Sequence, residues 1–395
     1  MYVFFALLFL LIIAVTYGMW EYFSHQKGIY SIPIRIHVNG TRGKSSVTRL
    51  IGAALSEAGI KTITKVTGTY PRLILDDGTE AEIFRKSGAN IIEQLSVVKL
   101  AAERKVQAIV IECMALEPQY QEITEKKMIH ATISVITNVR LDHIEIMGYS
   151  LPEIANTLSK TIPEGQHLFT AEKVMYPLLK AVAEKKHTVI HSIDSETITQ
   201  DEMNGFKYME HKENAEIALS VCRHLGISKE VALRGMYKAI PDAGALDFHR
   251  ITVSDKKINF YNAFAANDPQ STLMILNWIK DQNKFTGTKI ILLNSRPDRI
   301  DRAKQLSEMT GKYLSDEIDY LILIGQPTDM VENLSVANGM RRNKILNLGV
   351  TDPVNVFDAV VSCTDNESTV IAIGNMGGMG APVAEFFEQR SLVHD

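Results

Sequence analysis

Val38-Asn39-Gly40-Thr41-Arg42-Gly43-Lys44-Ser45-Ser46 is the stretch whose reading decides the fold. Ahead of it, Ile32-Pro33-Ile34-Arg35-Ile36-His37-Val38 alternates as a short strand does. Behind it, Val47, Leu50, Ile51, Ala54 and Leu55 recur at helical spacing up to Gly59, a helix stop. A glycine-bearing turn therefore joins a strand to a helix N-terminus and carries a lysine followed by a hydroxyl. Backbone N–H groups and the helix dipole there suit a nucleotide's phosphates, Lys44 reaches the terminal ones, and Ser45 is placed to ligate Mg²⁺. The glycine spacing is two residues shorter than in the usual P-loop, and Val38 stands where the first glycine of that pattern falls.

Working back toward the N-terminus, Tyr2 to Trp20 holds no charged residue. A helix of that length, at about 1.5 Å per residue, nearly matches a hydrocarbon core of about 30 Å. Tyr17, Trp20, Tyr22 and Tyr30 gather near one end as interface anchors do. No basic region precedes the run and no A-x-A site follows it, so an uncleaved single-span anchor (1–23) is expected rather than a signal peptide. Lys27, Arg35, Arg42 and Lys44 all follow the span, which puts the remainder on the cytoplasmic side, where ATP is available.

Working forward, strands and helices alternate from Ile32 to about Gly226, the mark of an α/β domain with a mainly parallel sheet. Strands are expected at 34–38, 108–112, 132–138, 167–170 and 188–191, and helices at 44–58, 91–104, 151–160, 173–185 and 214–225. Ligands in such sheets bind beyond the carboxyl ends of the strands. One such end delivers Glu112, in Ile109-Val110-Ile111-Glu112-Cys113-Met114. Another delivers Asn138, with Asp142-His143 on the next turn. A carboxylate suits Mg²⁺, and an Asp–His pair suits a metal ligand with a fixed tautomer. Pro241-Asp242-Ala243-Gly244 reads as a hinge, dividing a central domain (31–243) from a second small α/β domain (246–395). Strands at 258–263, 289–294, 319–324, 344–348 and 369–374 are expected there. Gly374-Asn375-Met376-Gly377-Gly378-Met379-Gly380 follows a strand and opens a helix; it reads as a tight turn, with an anion cradle as the alternative.

Composition narrows the class further. A net charge of −4 without a Lys/Arg block gives no reason to expect a nucleic-acid-binding surface. Cys113, Cys222 and Cys363 form no C-x-x-C pair, which argues against a disulfide framework or a structural zinc site and for a reducing compartment.

The motifs fall in an order that resembles the Mur-type ATP-dependent amide ligases. That family shows a G-T-x-G-K-[ST] loop, a G-T segment, a strand-end Glu, an N-x-x-x-D-H element and a closing N-x-x-x-A-L…L-G-I helix. Here they are matched by Gly40–Ser45, Thr67-Gly68-Thr69, Glu112, Asn138…Asp142-His143, and Asn214–Leu219 with Leu225-Gly226-Ile227. Within the superfamily the chain is similar from end to end to the poly-γ-glutamate synthase catalytic subunits. Asn39–Leu50, Glu112-Cys113-Met114-Ala115 and Ala263-Phe264-Ala265-Ala266-Asn267-Asp268 carry that likeness. The substrate-specific N-terminal domain of the muropeptide-building ligases is replaced by the membrane span.

The resemblance implies a membrane helix, a central Mur-ligase-like ATP-binding α/β domain and a smaller Rossmann-like C-terminal domain. It implies ATP and Mg²⁺ as cofactors, with Ser45, Glu112 and His143 holding the metal. Lys44, Glu112, His143 and Arg42 are the expected catalytic group. Gly40, Thr41, Arg42, Gly43, Lys44, Ser45, Ser46, Asn138, Asn267, Asp298 and Arg299 are the expected nucleotide contacts. The implied activity is polymerisation of glutamate through an acyl phosphate at the cytoplasmic membrane. The expected partners are glutamate, the growing chain, other integral-membrane subunits and further copies of this chain, without nucleic acid. A folylpolyglutamate-like ligase and a non-catalytic nucleotide-binding scaffold are the alternatives.

Overall fold

The computed structural model describes residues 1–68, 71–85, 88–193, 197–206, 208, 210–240 and 246–391. The expected hinge at Pro241–Gly244 and Thr69 of the G-T segment lie outside the described residues. The chain divides into two compact units, Met1–Asp242 and Ala243–Asp395.

The first unit holds strands β1 (Ile34–Asn39), β2 (Thr62–Val66), β3 (Arg72–Ile74), β4 (Glu80–Glu82), β5 (Ala108–Glu112), β6 (Ile133–Ile136), β7 (His167–Thr170) and β8 (Val189–Ser192). They form one sheet in the order β4-β3-β2-β5-β1-β6-β7-β8. Pairing is parallel from β2 to β8, and β3 and β4 add an antiparallel edge. β1 lies centrally, paired to β5 through Val38↔Glu112 and to β6 through Asn39↔Ile136. This register brings the three strand ends that matter side by side.

Helix α1 (Tyr2–Tyr30) precedes the sheet, and α2 (Lys44–Glu57) and α3 (Glu93–Glu103) lie on its two faces. One face buries Val47, Leu50, Ile51, Ala54 and Leu55 of α2 against Ala215, Ala218 and Leu219 of the Lys212–His224 helix. The other packs Val97, Val98 and Ala101 of α3 against Ile109, Ile111 and Ile29. With both faces covered, the polar residues of β1 are interior too, so its alternation does not mark a solvent face. His37 reaches Glu125 at 2.8 Å, and Asn39 donates to Gln121 at 2.8 Å and Thr161 at 3.1 Å.

Helix α1 is one uninterrupted rod of 29 residues, about 43 Å at 1.5 Å per residue. Every residue from Met1 to Ser24 is exposed. Its last turns dock on the domain: Ile29 is buried, His25 bonds the Met128 carbonyl at 2.9 Å, and Gln26 donates to that of Lys127 at 3.2 Å. The apolar run therefore projects from the domain on a helix that the domain itself holds.

The second unit contains β9 (Asp247–Val253), β10 (Lys256–Asn262), β11 (Thr288–Ser295), β12 (Tyr320–Gly325), β13 (Ile345–Gly349) and β14 (Glu367–Ile373). The order is β13-β12-β11-β14-β10-β9, parallel except for the β9–β10 hairpin. Its core strands are the near-continuous apolar runs Ile290–Leu293, Leu321–Ile324 and Val370–Ile373, as burial on both faces requires.

Candidate active site

The Gly40–Ser45 turn runs from the end of β1 into α2. Gly40 and Gly43 take φ of 131° and 79°, a region open to glycine at little cost. Space also requires them. A Cβ on Gly43 would stand 2.5 Å from Asn214 Oδ1, and one on Gly40 would overlap the Thr137 hydroxyl.

The turn is held from the end of β6. Asn138 clamps Arg42 by both backbone groups: its Oδ1 accepts from Arg42 N and its Nδ2 donates to Arg42 O, each at 3.1 Å. The Thr137 hydroxyl donates to the same carbonyl at 2.6 Å, and Thr41 N donates to Asn138 O at 3.0 Å. Asn39 Oδ1 accepts from Gly40 N at 2.8 Å.

Lys44 lies over this frame, its Nζ donating to the carbonyls of Gly40 at 2.8 Å and Thr41 at 3.2 Å. A cation curled over a loop at a helix N-terminus is the arrangement that receives phosphate oxygens. Beside it, Glu112 is 3% exposed, and its Oε2 accepts from Ser45 Oγ at 3.0 Å and Thr67 N at 2.6 Å. Asp142 pairs with Arg42 at 3.3 Å and stands 4.0 Å from His143 Nε2. His143 itself has φ of 46°, a left-handed residue that turns the chain into the short Ile144–Met147 helix. Ser45 Oγ and Glu112 Oε2, already in contact, are oxygen donors of the kind a hard divalent cation takes. Ser46 follows within the first turn of α2.

Sequence reasoning missed the supports of this site. Thr137, and Gln121 and Thr161 that hold the buried Asn39 side chain, carry no motif of their own. Lys65 is fully buried on β2, bonded to Glu93 at 2.7 Å and Gln94 at 3.0 Å, just ahead of Thr67. Glu210, bonded to Asn214 Nδ2 at 2.9 Å, is pushed up to about 7 by burial, against the pull of Asn214 and the His211 N–H.

In the second unit, Asn267 Oδ1 is a buried acceptor without a hydrogen-bond partner. Asp298 is bound by Arg296 at 2.9 Å and lies 3.8 Å from Arg299. Asn294 Nδ2 donates to the carbonyls of Asn375 at 2.6 Å and Gly377 at 2.9 Å. A Cβ on Gly374 would overlap the Asn294 carbonyl and one on Gly380 that of Asn375, both fixed backbone atoms, so the Gly374–Gly380 stretch is a packed turn that needs small residues. Cys113, Cys222 and Cys363 are free and buried.

A parallel sheet carrying a short phosphate-type loop, a strand-end glutamate at its mouth and an Asn…Asp-His strap behind it define a Mur-type ATP-dependent amide ligase. Residues 38–240 match the Mur ligase middle domain, and residues 248–390 match the poly-gamma-glutamate synthase CapB C-terminal domain. The chain belongs to the CapB family of poly-γ-glutamate synthases. It is 38% identical to "Capsule biosynthesis protein CapB" of Bacillus anthracis over 96% of this chain and 81% of that protein. It is 36% identical to "PGA synthase CapB" of Bacillus subtilis (strain 168) over 96% of this chain and 97% of that one. Among solved structures it shares its fold with E. coli FolC in complex with DHPP and ADP: TM-score 0.69, 16% identity, 94% of this chain and 92% of that one. A folylpolyglutamate synthase/dihydrofolate synthase with Mn, AMPPNP and L-glutamate bound gives a TM-score of 0.69 at 14% identity, covering 92% and 91%.

Proposed function

We propose that this chain is an ATP-dependent acid–amino-acid ligase that extends poly-γ-glutamate at the cytoplasmic face of a membrane. The observation that carries the reading is the double acceptance at Glu112 Oε2, from Ser45 and Thr67, beside the Lys44 ammonium on the loop. Such a site collects positive charge and metal-ligating oxygen where a terminal phosphate is transferred. Family membership supplies the acid and the amine: the carboxylate of one glutamate and the amino group of the next.

In this reaction class a carboxylate oxygen takes the terminal phosphoryl group and ADP leaves. The amine then attacks the acyl carbon, and inorganic phosphate departs with the carboxylate oxygen. Lys44 and the loop N–H groups neutralise charge that develops on the phosphoryl oxygens. Ser45, Glu112 and His143 would hold Mg²⁺, which when bound adds further neutralisation there. Arg42, oriented by Asp142, is available to the transferred group or the incoming carboxylate. Asn138 sets the loop geometry through backbone bonds and works by positioning. Asn267, Asp298 and Arg299 are proposed as nucleotide contacts from the second unit. No side-chain nucleophile is required, and Cys113 is a packed residue beside Glu112.

The exposed apolar length of α1 supports a single-pass anchor. One helix encloses no path for a polymer, so integral-membrane partners, together with further copies of this chain, complete the assembly we propose. Membranes carrying the chain and its partners, incubated with ATP and radiolabelled glutamate, should yield long polymer, and Lys44→Ala should abolish both polymer and ADP release. Single glutamate additions to a folate-like acceptor would instead favour a small-molecule ligase. Absence of any incorporation would favour a scaffold.

A further inference from the structure

His167, His191 and His224 lie 24 and 33 residues apart in sequence and meet at one end of the first sheet. His167 opens β7, and His191 lies on β8, the terminal strand, opposite Phe169 in the register. Side chains two apart on a strand share a face, so His167 and Phe169 stand on the same side of β7. His224 ends the Lys212–His224 helix, which packs on that face. The His191 ring stacks on Phe169 at 4.3 Å and 11°, which fixes its plane. His167 Nδ1 lies 3.1 Å from His191 Nε2, and one ring nitrogen from each of the three histidines falls within 4.8 Å of the others.

That spacing is the argument. Four donors around a tetrahedral ion with bonds of about 2.0–2.1 Å stand roughly 3.3 Å from one another. Two of the three nitrogens are already at that separation. The third belongs to His224, whose exposed ring lies with its centroid 4.2 Å from that of His167. We propose that His167, His191 and His224 form a binding site for a borderline transition-metal ion of the Zn²⁺ class, with water as the fourth ligand. Three imidazoles without a carboxylate select Zn²⁺, Cu²⁺, Ni²⁺ or Co²⁺ over Mg²⁺ or Ca²⁺. The donor set thus differs in kind from the oxygen-rich one at Glu112. Burial and the neighbouring imidazoles hold His167 and His191 below the usual histidine value, so both offer a lone pair at neutral pH. Without metal, the short nitrogen–nitrogen contact is an N–H···N hydrogen bond, and the ion takes the place of that proton.

The ion would pin β7 and β8 to the C-terminal end of the 212–224 helix. The other end of that helix carries Asn214, packed against Gly43 of the phosphate loop, about 15 Å away along the axis. The site is therefore structural and separate from the chemistry, two and three strands along the sheet from β1. The sequence expectation against structural zinc was drawn from cysteines, and these histidines make no motif a reader of spacing would meet.

The test uses the full chain in detergent, stripped with a chelator and free of nucleotide and Mg²⁺. Co²⁺ should bind at one equivalent with the intense visible band of a four- or five-coordinate nitrogen site. Zn²⁺ should displace it and raise the unfolding temperature. His224→Ala, an exposed change that leaves the core intact, should weaken Co²⁺ binding by at least the ~10-fold that loss of an outer-shell partner costs. The triple His→Ala variant should abolish the band, while His143→Ala should retain it. No band in the wild type, an undiminished band in the triple variant, or loss of the band in His143→Ala would each overturn the site.

Discussion

Replacing Glu112 by Gln isolates the charge at the mouth of the phosphate loop from the hydrogen bonds it makes. The carboxamide oxygen can still accept from Ser45 and Thr67, at 3.0 and 2.6 Å in the native arrangement. Turning two charge-assisted bonds into neutral ones costs about 1 kcal/mol each. That loss is offset by no longer burying a carboxylate that is only 3% exposed. The net change in stability should stay within about 2 kcal/mol, a shift of a few degrees in a domain of this size. Catalysis should suffer more. Glu112 would act through the metal it holds, and weakening a metal's ligand environment typically costs about 10–100-fold in metal affinity or activity, or about 1.4–2.7 kcal/mol. The Mg²⁺ concentration giving half-maximal rate should rise with it. ADP release and glutamate incorporation are to be measured across a Mg²⁺ titration, alongside a thermal melt. A Gln variant with native rate and native metal requirement would refute the assignment. Lost activity together with a drop in melting temperature above about 10 °C would place Glu112 in the fold and not in the chemistry.

Gly43→Ala forces a Cβ onto a residue at φ of 79° and to within 2.5 Å of Asn214 Oδ1. The conformation alone costs about 1–2 kcal/mol, so the KM for ATP should rise, and adding Asn214→Gly should restore only the steric part of the loss. Burial raises Glu210 to about 7 from the ordinary glutamate value of 4.5, so its contribution to stability is complete below pH 4.5 and lost as pH climbs through 7. Glu210→Gln should flatten melting temperature across that window, removing a slope worth at most about 3 kcal/mol; an unchanged profile would contradict it. His37 is the opposite kind of buried group. Burial works against its charge, yet the neighbouring Cys113 and the bond to Glu125 raise it to about 9, so this stability is present below 6.5 and lost as pH rises through 9. Glu125→Ala, which orphans the imidazolium beneath β1, should cost about 3–5 kcal/mol in chemical denaturation, and a loss under 1 kcal/mol would mean His37 is neutral.

The parts of the site that sequence made legible are those where chain order and chemistry coincide. Gly40–Ser45, Glu112 and Asn138…His143 each follow an apolar strand, so a strand-end argument finds them. The antiparallel edge was invisible for a physical reason. Thr62–Val66 carries Lys65 in its middle, and Arg72–Ile74 and Glu80–Glu82 are short and charged, so no alternation survives. What stabilises that edge is pairing at a distance: Lys65 with Glu93, and Arg49 with Glu80 at 2.6 Å. Asp247–Val253 was missed likewise, since Ile251 alone among its residues is buried. Helix ends drifted by a few residues, and the 151–160 helix closes as a 3₁₀ turn at Ser159–Thr161. The three histidines of β7, β8 and the 212–224 helix show the same limit: only tertiary folding makes them neighbours.

The short glycine spacing follows from the same geometry. A loop two residues shorter than the usual P-loop has fewer of its own N–H groups with which to hold its shape. Here the shape is imposed from the adjacent strand, because Asn39↔Ile136 in the β1–β6 register sets Thr137 and Asn138 directly beside Arg42. Their side chains and the Asn138 carbonyl engage Thr41 N, Arg42 N and Arg42 O, which fixes the turn on both sides of its centre. Four residues on, Asp142 returns to the Arg42 guanidinium with His143 at its side. The Asn…Asp-His element is thus the loop's external template, and it also carries the proposed metal ligand His143. A template supplied by β6 works only while β1 and β6 stay in register. The Asn39 side chain, bonded at once to Gly40 N, Gln121 and Thr161, is where that register and the loop are locked together.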